Sequence, residues 1–299
     1  MRTLTRPEGT EPSDLNLSRR ALSLAALGGY ALWSFSAEAE PIHTDSAGLV
    51  AGMVEVDSGD RMIPAYLARP DAKGRFPVSV VISEVFGLHE YVRDICRRLA
   101  KLGYCAIAPD FFIREGDPSK TADFDEIRRI VGAASRKQLM HDLAATLDFI
   151  KAQPFADKAH MGITGFCWGG AIVWVAVAQF KDFKAGVSWY GRLAAPKPGE
   201  FLSGPDRNWP LDLVKDLHAP VLGLYAGKDQ GIGPNDIDAM RSALAANGKR
   251  GSEIHVYPQT QHGFHADYRS SYDAEAAADG WSRMLAHFAA NGVKPKPPK

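Results

Sequence analysis

From about Gly48 to Ala290 the chain repeats one pattern: an apolar strand, a loop, then a run with apolar positions at helical spacing. Pro77 to Ser83 (PVSVVIS) is an unbroken, largely β-branched run, as in a central strand covered on both faces. Tyr91 to Gly103 sets Ile95, Leu99 and Leu102 on one helical stripe, and Gly103 supplies a stop. Strand pattern returns at Tyr104 to Ala108, and a helix follows with Leu139, Leu143, Leu147 and Ile150 on one face. Further strands are predicted at His160 to Thr164, Ala185 to Trp189, Val221 to Ala226 and Ile254 to Tyr257. Met53 to Leu67 alternates across Ser58-Gly59-Asp60 and suits an antiparallel hairpin at a sheet edge. The pattern predicts an α/β fold in a single domain over 48–290: a mostly parallel central sheet, flanked by helices on both faces and joined by right-handed crossovers. Such sheets hold ligands beyond the carboxyl ends of their strands.

The Pro-rich connection from Arg192 to Pro210 reads as a lid or a mobile loop, and the tail over 291–299, ending KPKPPK, as extended and solvated. Residues 1–17 are polar; Ser18-Arg19-Arg20 then opens an apolar run from Ala21 to Phe35, followed by Ser36-Ala37-Glu38-Ala39. That order resembles a twin-arginine export signal over 1–39, cleaved after Ala39. It predicts a periplasmic or secreted protein with no stable membrane association once the signal is gone, and cytoplasmic residence if the signal is not used. The 35 Lys and Arg balance 35 Asp and Glu, so no global field draws the chain to nucleic acid. Cys96, Cys105 and Cys167 form no CxxC couple, which argues against a disulfide scaffold and a structural metal site. The pattern does not specify an oligomeric state.

Gly165-Phe166-Cys167-Trp168-Gly169-Gly170 lies between a strand and the helical run Ala171 to Phe180. This is the G-x-S-x-G nucleophile elbow of the α/β-hydrolase fold, with cysteine in the serine position. The turn is strained, so the residues two before and two after the nucleophile must be very small. It is expected to aim the thiol at solvent and to leave the Trp168 backbone N–H free for an oxyanion. Cys96 and Cys105 read as buried small hydrophobes. The fold's order is nucleophile, acid, histidine. Val221 to Ala226 runs into Gly227-Lys228-Asp229, and the next strand into Gln261-His262-Gly263-Phe264. His262 would then take the thiol's proton and Asp229 would steady the imidazolium. His265 is the alternative base. Asp236 and Asp238 fall in the following helix and read as surface or first-turn charges.

Strand Pro77 to Ser83 ends in Glu84-Val85-Phe86-Gly87, where this fold supplies its second oxyanion donor, here the Val85 N–H. A carboxylate at the apolar end of a central strand needs a partner. Glu84 is either an ion pair with Arg93 or Arg192, or faces Cys167 and acts on its proton. Candidate substrate-binding residues are Phe86, Trp168, Tyr190, Arg192 and Phe264, with plain core packing as the competing reading of the aromatics.

Ser-Glu-Val-Phe-Gly-Leu (83–88), Ala-Pro-Asp-Phe-Phe (108–112), the elbow, Gly-Lys-Asp (227–229) and Gln-His-Gly-Phe-His (261–265) together resemble the dienelactone hydrolases, or carboxymethylenebutenolidases. The resemblance implies an α/β-hydrolase with a Cys167-Asp229-His262 triad, a small lactone or activated ester as substrate, and a glutamate, Glu84, that holds the resting thiol and takes its proton as substrate binds. Acyl transfer to water through a thioester requires no cofactor. One position departs: the family's carboxylate-gripping arginine, four residues after the histidine, is Ala266 here. Arg269, or Arg128 or Arg129 from the cap region, is left for that task. The competing readings are a general carboxylesterase and a catalytically silent binding protein on the same fold.

Overall fold

The structure, a computed structural model, describes residues 41–121, 123–203 and 207–296. The export segment expected over 1–39 lies outside the described residues. β1 (Leu49–Asp57) and β2 (Met62–Pro70) form the antiparallel hairpin, with Val56 opposite Ile63. Its turn is fixed by the Gly59 N–H, which donates to Asp57 Oδ1 at 2.7 Å, and by a positive φ of 86° at Gly59. β3 (Phe76–Ile82), β4 (Cys105–Pro109), β5 (Ala156–Phe166), β6 (Phe183–Trp189), β7 (Val221–Ala226) and β8 (Glu253–Tyr257) complete one sheet in the order β1-β2-β4-β3-β5-β6-β7-β8. From β4 to β8 all neighbours run parallel, while β2 meets both β1 and β4 antiparallel. Every residue of β3 and of β7 is buried, which is why both read as unbroken apolar runs.

The flanking helices are α1 (Glu90–Lys101), α2 (Phe124–Ala133), α3 (Arg136–Lys151), α4 (Trp168–Gln179), α5 (Pro234–Ala246) and α6 (Ala274–Ala290). They lie on both sides of the sheet, and the whole is the α/β-hydrolase fold. α4 is buried from Trp168 to Ala178 with no polar face, as expected of a helix enclosed against β5 and β6. Side-chain caps set helix starts: Ser135 Oγ accepts the Gln138 N–H at 3.1 Å and Asp273 Oδ1 the Ala276 N–H at 3.0 Å, each cap contributing about 1 kcal/mol.

Three segments differ from the pattern-based expectation. α2 was not foreseen, because its ten residues bury only Ile127, Ile130 and Val131. The described part of the 192–210 connection is tied down: Leu193 and Trp209 are buried, and Arg207 Nη2 donates to Gly132 O at 2.9 Å and Ala134 O at 3.1 Å. The tail is exposed at Lys294 and Lys296 yet anchored. Val293 is fully buried, with its carbonyl accepting from Tyr104 Oη at 3.1 Å, and Lys296 Nζ reaches Asp157 Oδ2 at 2.7 Å.

Candidate active site

β5 ends at Phe166, and Cys167 takes φ 54°, ψ −116° before α4 begins at Trp168. The turn closes because its flanking residues lack side chains. A Cβ on Gly165 would stand 2.4 Å from the Gly169 carbonyl oxygen, and one on Gly169 would stand 2.5 Å from the carbonyl oxygens of Ile82 and Ser83. The Cys167 N–H donates to Trp189 O at 2.9 Å, which ties the elbow to the end of β6. The thiol does not face open solvent as expected. Cys167 is only 3 % exposed and lies in the field of His262, Tyr190 and Arg269, all buried. The Val85 and Trp168 N–H groups stand beyond the ends of neighbouring strands β3 and β5, and neither donates to a turn or loop carbonyl among the described residues. Trp168 is the first residue of α4, where an amide has no acceptor within the helix.

The turns after β7 and β8 are laced together. Gly227 N–H donates to Tyr257 O at 2.8 Å and Lys228 N–H to Thr260 O at 2.9 Å, which brings Asp229 beside His262. Asp229 Oδ1 accepts the Gly231 and Ile232 N–H groups at 2.8 and 3.2 Å, leaving Oδ2 for His262 Nδ1 at 2.7 Å. The Cys167 thiol lies close enough to the same ring to act on its proton. Burial alone would push His262 down, but the charges of Asp229 and Cys167 and the hydrogen bonds to both prevail and raise it to about 10. An imidazole held this way takes and returns a proton at a sulfur.

Glu84 is fully buried just beyond β3. Among the described residues its ion-pair partner is Arg269 rather than Arg93 or Arg192: Arg269 Nη2 stands 3.1 Å from Glu84 Oε1, and Tyr268 Oη donates to Glu84 Oε2. The guanidinium lies over the Phe86 ring, 5.0 Å from its centroid. Burial opposes its charge, yet Glu84 and then Tyr268 hold its affinity for the proton above the ordinary value. Arg98 braces the loop that carries this pair, donating to Asp94 and to Asp267. Arg269 is thus engaged by Glu84, and Ala266 is itself buried. Arg128 instead stacks on Phe124 and Phe201, and Arg129 pairs with Glu126.

Phe86 and Tyr190 are buried within this cluster, and Arg192 is half-buried at the start of the long connection. Phe264 is a core ring, wedged against Trp189, Tyr190 and Tyr257. His265 is no second base: its Nδ1 meets Tyr91 Oη at 2.6 Å among the rings of Phe166, Trp189 and Trp281. Asp236 lies in the first turn of α5 and Asp238 pairs with Arg241, as expected. Tyr268 was missed by sequence reasoning, although a charged and aromatic Asp267-Tyr268-Arg269 run close behind a candidate base was a usable signal. Among the described residues one metal-ligand cluster converges, His43, Glu90 and Asp94, with atoms within 4.8 Å. Arg97 and Arg98 already neutralise its carboxylates.

The profile of the Dienelactone hydrolase family matches residues 63–292. A provisionally named carboxymethylenebutenolidase of Methylorubrum extorquens is 46% identical over 280 residues, 93% of this chain and 94% of the relative. Its counterpart in Escherichia coli K12, also provisionally named, is 44% identical over 258 residues, 85% of this chain and 92% of the relative. The crystal structure of a provisionally named dienelactone hydrolase of Klebsiella pneumoniae superposes with a TM-score of 0.75 at 43% identity, covering 81% of this chain and 98% of that one. This chain therefore belongs to the dienelactone hydrolase family, as a hydrolase of carboxylic esters or lactones.

Proposed function

We propose that the protein hydrolyses enol lactones and activated carboxylic esters through a thioester on Cys167. The observation that carries the reading is one imidazole, His262, bonded to Asp229 at 2.7 Å and lying in the field of a thiol at a glycine-flanked elbow. Sγ attacks the acyl carbon with its proton on His262, and Asp229 steadies the imidazolium. The Val85 and Trp168 N–H groups receive the oxyanion. The leaving oxygen takes the proton from His262, and a water activated by the same ring then cleaves the thioester. His262 is assigned the thiol's proton because it is the ring that Cys167 acts on and that Asp229 holds. Glu84 is assigned the task of holding Arg269 and Tyr268 beside the nucleophile. A thiolate expels alkoxides poorly, so simple alkyl esters are slower substrates and amides the slowest.

Alkylation by iodoacetamide, read by mass spectrometry alongside hydrolysis of an enol lactone and an aryl ester, tests this. Rapid labelling confined to Cys167, with parallel loss of activity, is expected. Cys96 and Cys105 resist because burial pushes both thiols up, Cys105 to about 12. Three equally sluggish thiols and no turnover would favour a silent binding protein. Equal turnover of alkyl esters would favour a general carboxylesterase. Cys167→Ser is expected to lose activity by orders of magnitude. We also propose that residues 1–39 direct export, on their tripartite order; a mature N-terminus at Glu40 in the periplasmic fraction is expected, and a persistent cytosolic precursor in the source cell would overturn it.

A further inference from the structure

Two bulky residues at the sheet's carboxyl edge take a left-handed backbone, and they are neighbours. Cys167 (φ 54°) follows β5 and Tyr190 (φ 40°) follows β6. The parallel register sets Phe166 beside Trp189, so the residues that follow stand side by side. Tyr190 is pinned by its own N–H, which donates to Leu224 O at 2.8 Å. Such a backbone is unfavourable for any residue with a side chain, and it persists where the surroundings enforce it. The nucleophile turn accounts for Cys167. At Tyr190 the fold enforces it: besides the bond to Leu224 O, a Cβ on Gly191 would stand 2.3 Å from the Ala171 nitrogen, so the turn packs directly on the start of α4.

The phenol carries a second penalty. Tyr190 is fully buried and, among the described residues, its Oη has no hydrogen-bond partner, whereas the buried hydroxyls of Tyr91, Tyr104, Tyr225 and Tyr268 all have one. Its ring packs edge-on against His262, with centroids 5.1 Å apart, and it lies in the field of Glu84, Arg269, Tyr268 and Cys167. Strain and an unmatched donor thus coincide at the residue beside both the thiol and the base.

We propose, building on the thioester reading above, that Tyr190 Oη donates a hydrogen bond to the oxygen that departs from the acyl carbon. As the Sγ–C bond forms and the C–O bond breaks, the electron pair goes to that oxygen. His262 gives it the proton taken from the thiol, and Tyr190 keeps its own. Burial, and then Glu84, hold the phenol well above the usual range, so it remains a neutral donor at every working pH. The donor matters most where negative charge on the departing oxygen is greatest, so the site suits enol and phenol esters whose leaving groups are only moderately activated.

The test is Tyr190→Phe with aryl acetates running from 4-nitrophenyl to phenyl, read as kcat/KM, which reports acylation. The loss is expected to be about tenfold for the phenyl ester and about twofold or less for the 4-nitrophenyl ester, the scale of one neutral hydrogen bond. Tm is expected to hold or rise, because the hydroxyl removed has no partner. Tyr225→Phe, whose hydroxyl bonds to Trp174 and Ser188, is expected to lower Tm and to keep the wild-type dependence on leaving group. A uniform loss across the series, no loss, or a fall in Tm for Tyr190→Phe would overturn the inference. If those results came with rapid alkylation of Cys167 in a wild type that hydrolyses the esters, the thioester reading would stand without it. An unreactive Cys167 and an inert wild type would remove both.

Discussion

His262 and His265 share the loop after β8, and each is more than nine-tenths buried. Burial favours the neutral ring in both. Yet His262 is raised to about 10, while His265 is driven well below its ordinary value. The neighbour decides. His262 meets the Asp229 carboxylate and the Cys167 thiol; His265 meets the Tyr91 hydroxyl, four aromatic rings and the cation of Arg98. Removing water therefore fixes how strongly a charge is felt, and the group on the far side of the ring fixes the sign. One ring is set to hold a proton and the other to stay neutral among aromatic rings, from the same residue type in the same loop.

The strongest way to break this contrast is Asp229→Asn, which keeps the shape and removes the charge. kcat is expected to fall on the order of 10⁴-fold, as when a base loses the anion that holds its tautomer. The His262 ring resonances should then titrate well below their wild-type midpoint. A loss below about tenfold would mean the carboxylate does not steady the base.

Glu84 tests the same rule from the side of the acid. Its carboxylate neutralises a buried guanidinium, so Glu84→Gln leaves Arg269 uncompensated and is expected to lower stability by about 3–5 kcal/mol in urea unfolding. Coupling the change with Arg269→Met should recover much of that loss. If the double variant is no more stable than Glu84→Gln, the pair does not behave as a buried ion pair.

These residues also separate what local pattern can and cannot encode. Strand ends are local, so Cys167, Asp229 and His262 could be picked from where apolar runs stop and glycines begin. The elbow's glycines fix the backbone at Cys167 but not what roofs the thiol. That roof comes from Tyr190, just past the next strand, and from the loop after His262, and the Tyr268–Glu84 bond spans 184 residues of sequence. No periodicity carries such a pairing. The departure at Ala266 was visible in the sequence, but the pairing of Arg269 with Glu84 depends on a fold of that loop held by Arg98 and Asp267. The rings near the elbow divide the same way: Phe264 and Tyr190 are alike in composition, and only the packing makes one of them core.

The smallest effect is the most diagnostic of the contrast between the two histidines. His265→Phe leaves the Tyr91 hydroxyl without its partner, a loss of about 1–3 kcal/mol at pH 7.5, with kcat/KM kept within about twofold. The pH dependence should then run in opposite directions at the two sites. His265 has a folded value below 6.5, so only the unfolded chain takes its proton as pH falls; wild type loses stability below pH 6.5, and its margin over His265→Phe narrows in acid. His262 has a folded value of about 10, so its contribution is complete below 6.5 and drains away as pH rises toward 10; the margin over His262→Gln narrows in base. Thermal melts of the three proteins from pH 5 to 10 read both slopes at once. Margins that narrow at the same end of the range would show that the two rings do not differ in the sign of their charge preference.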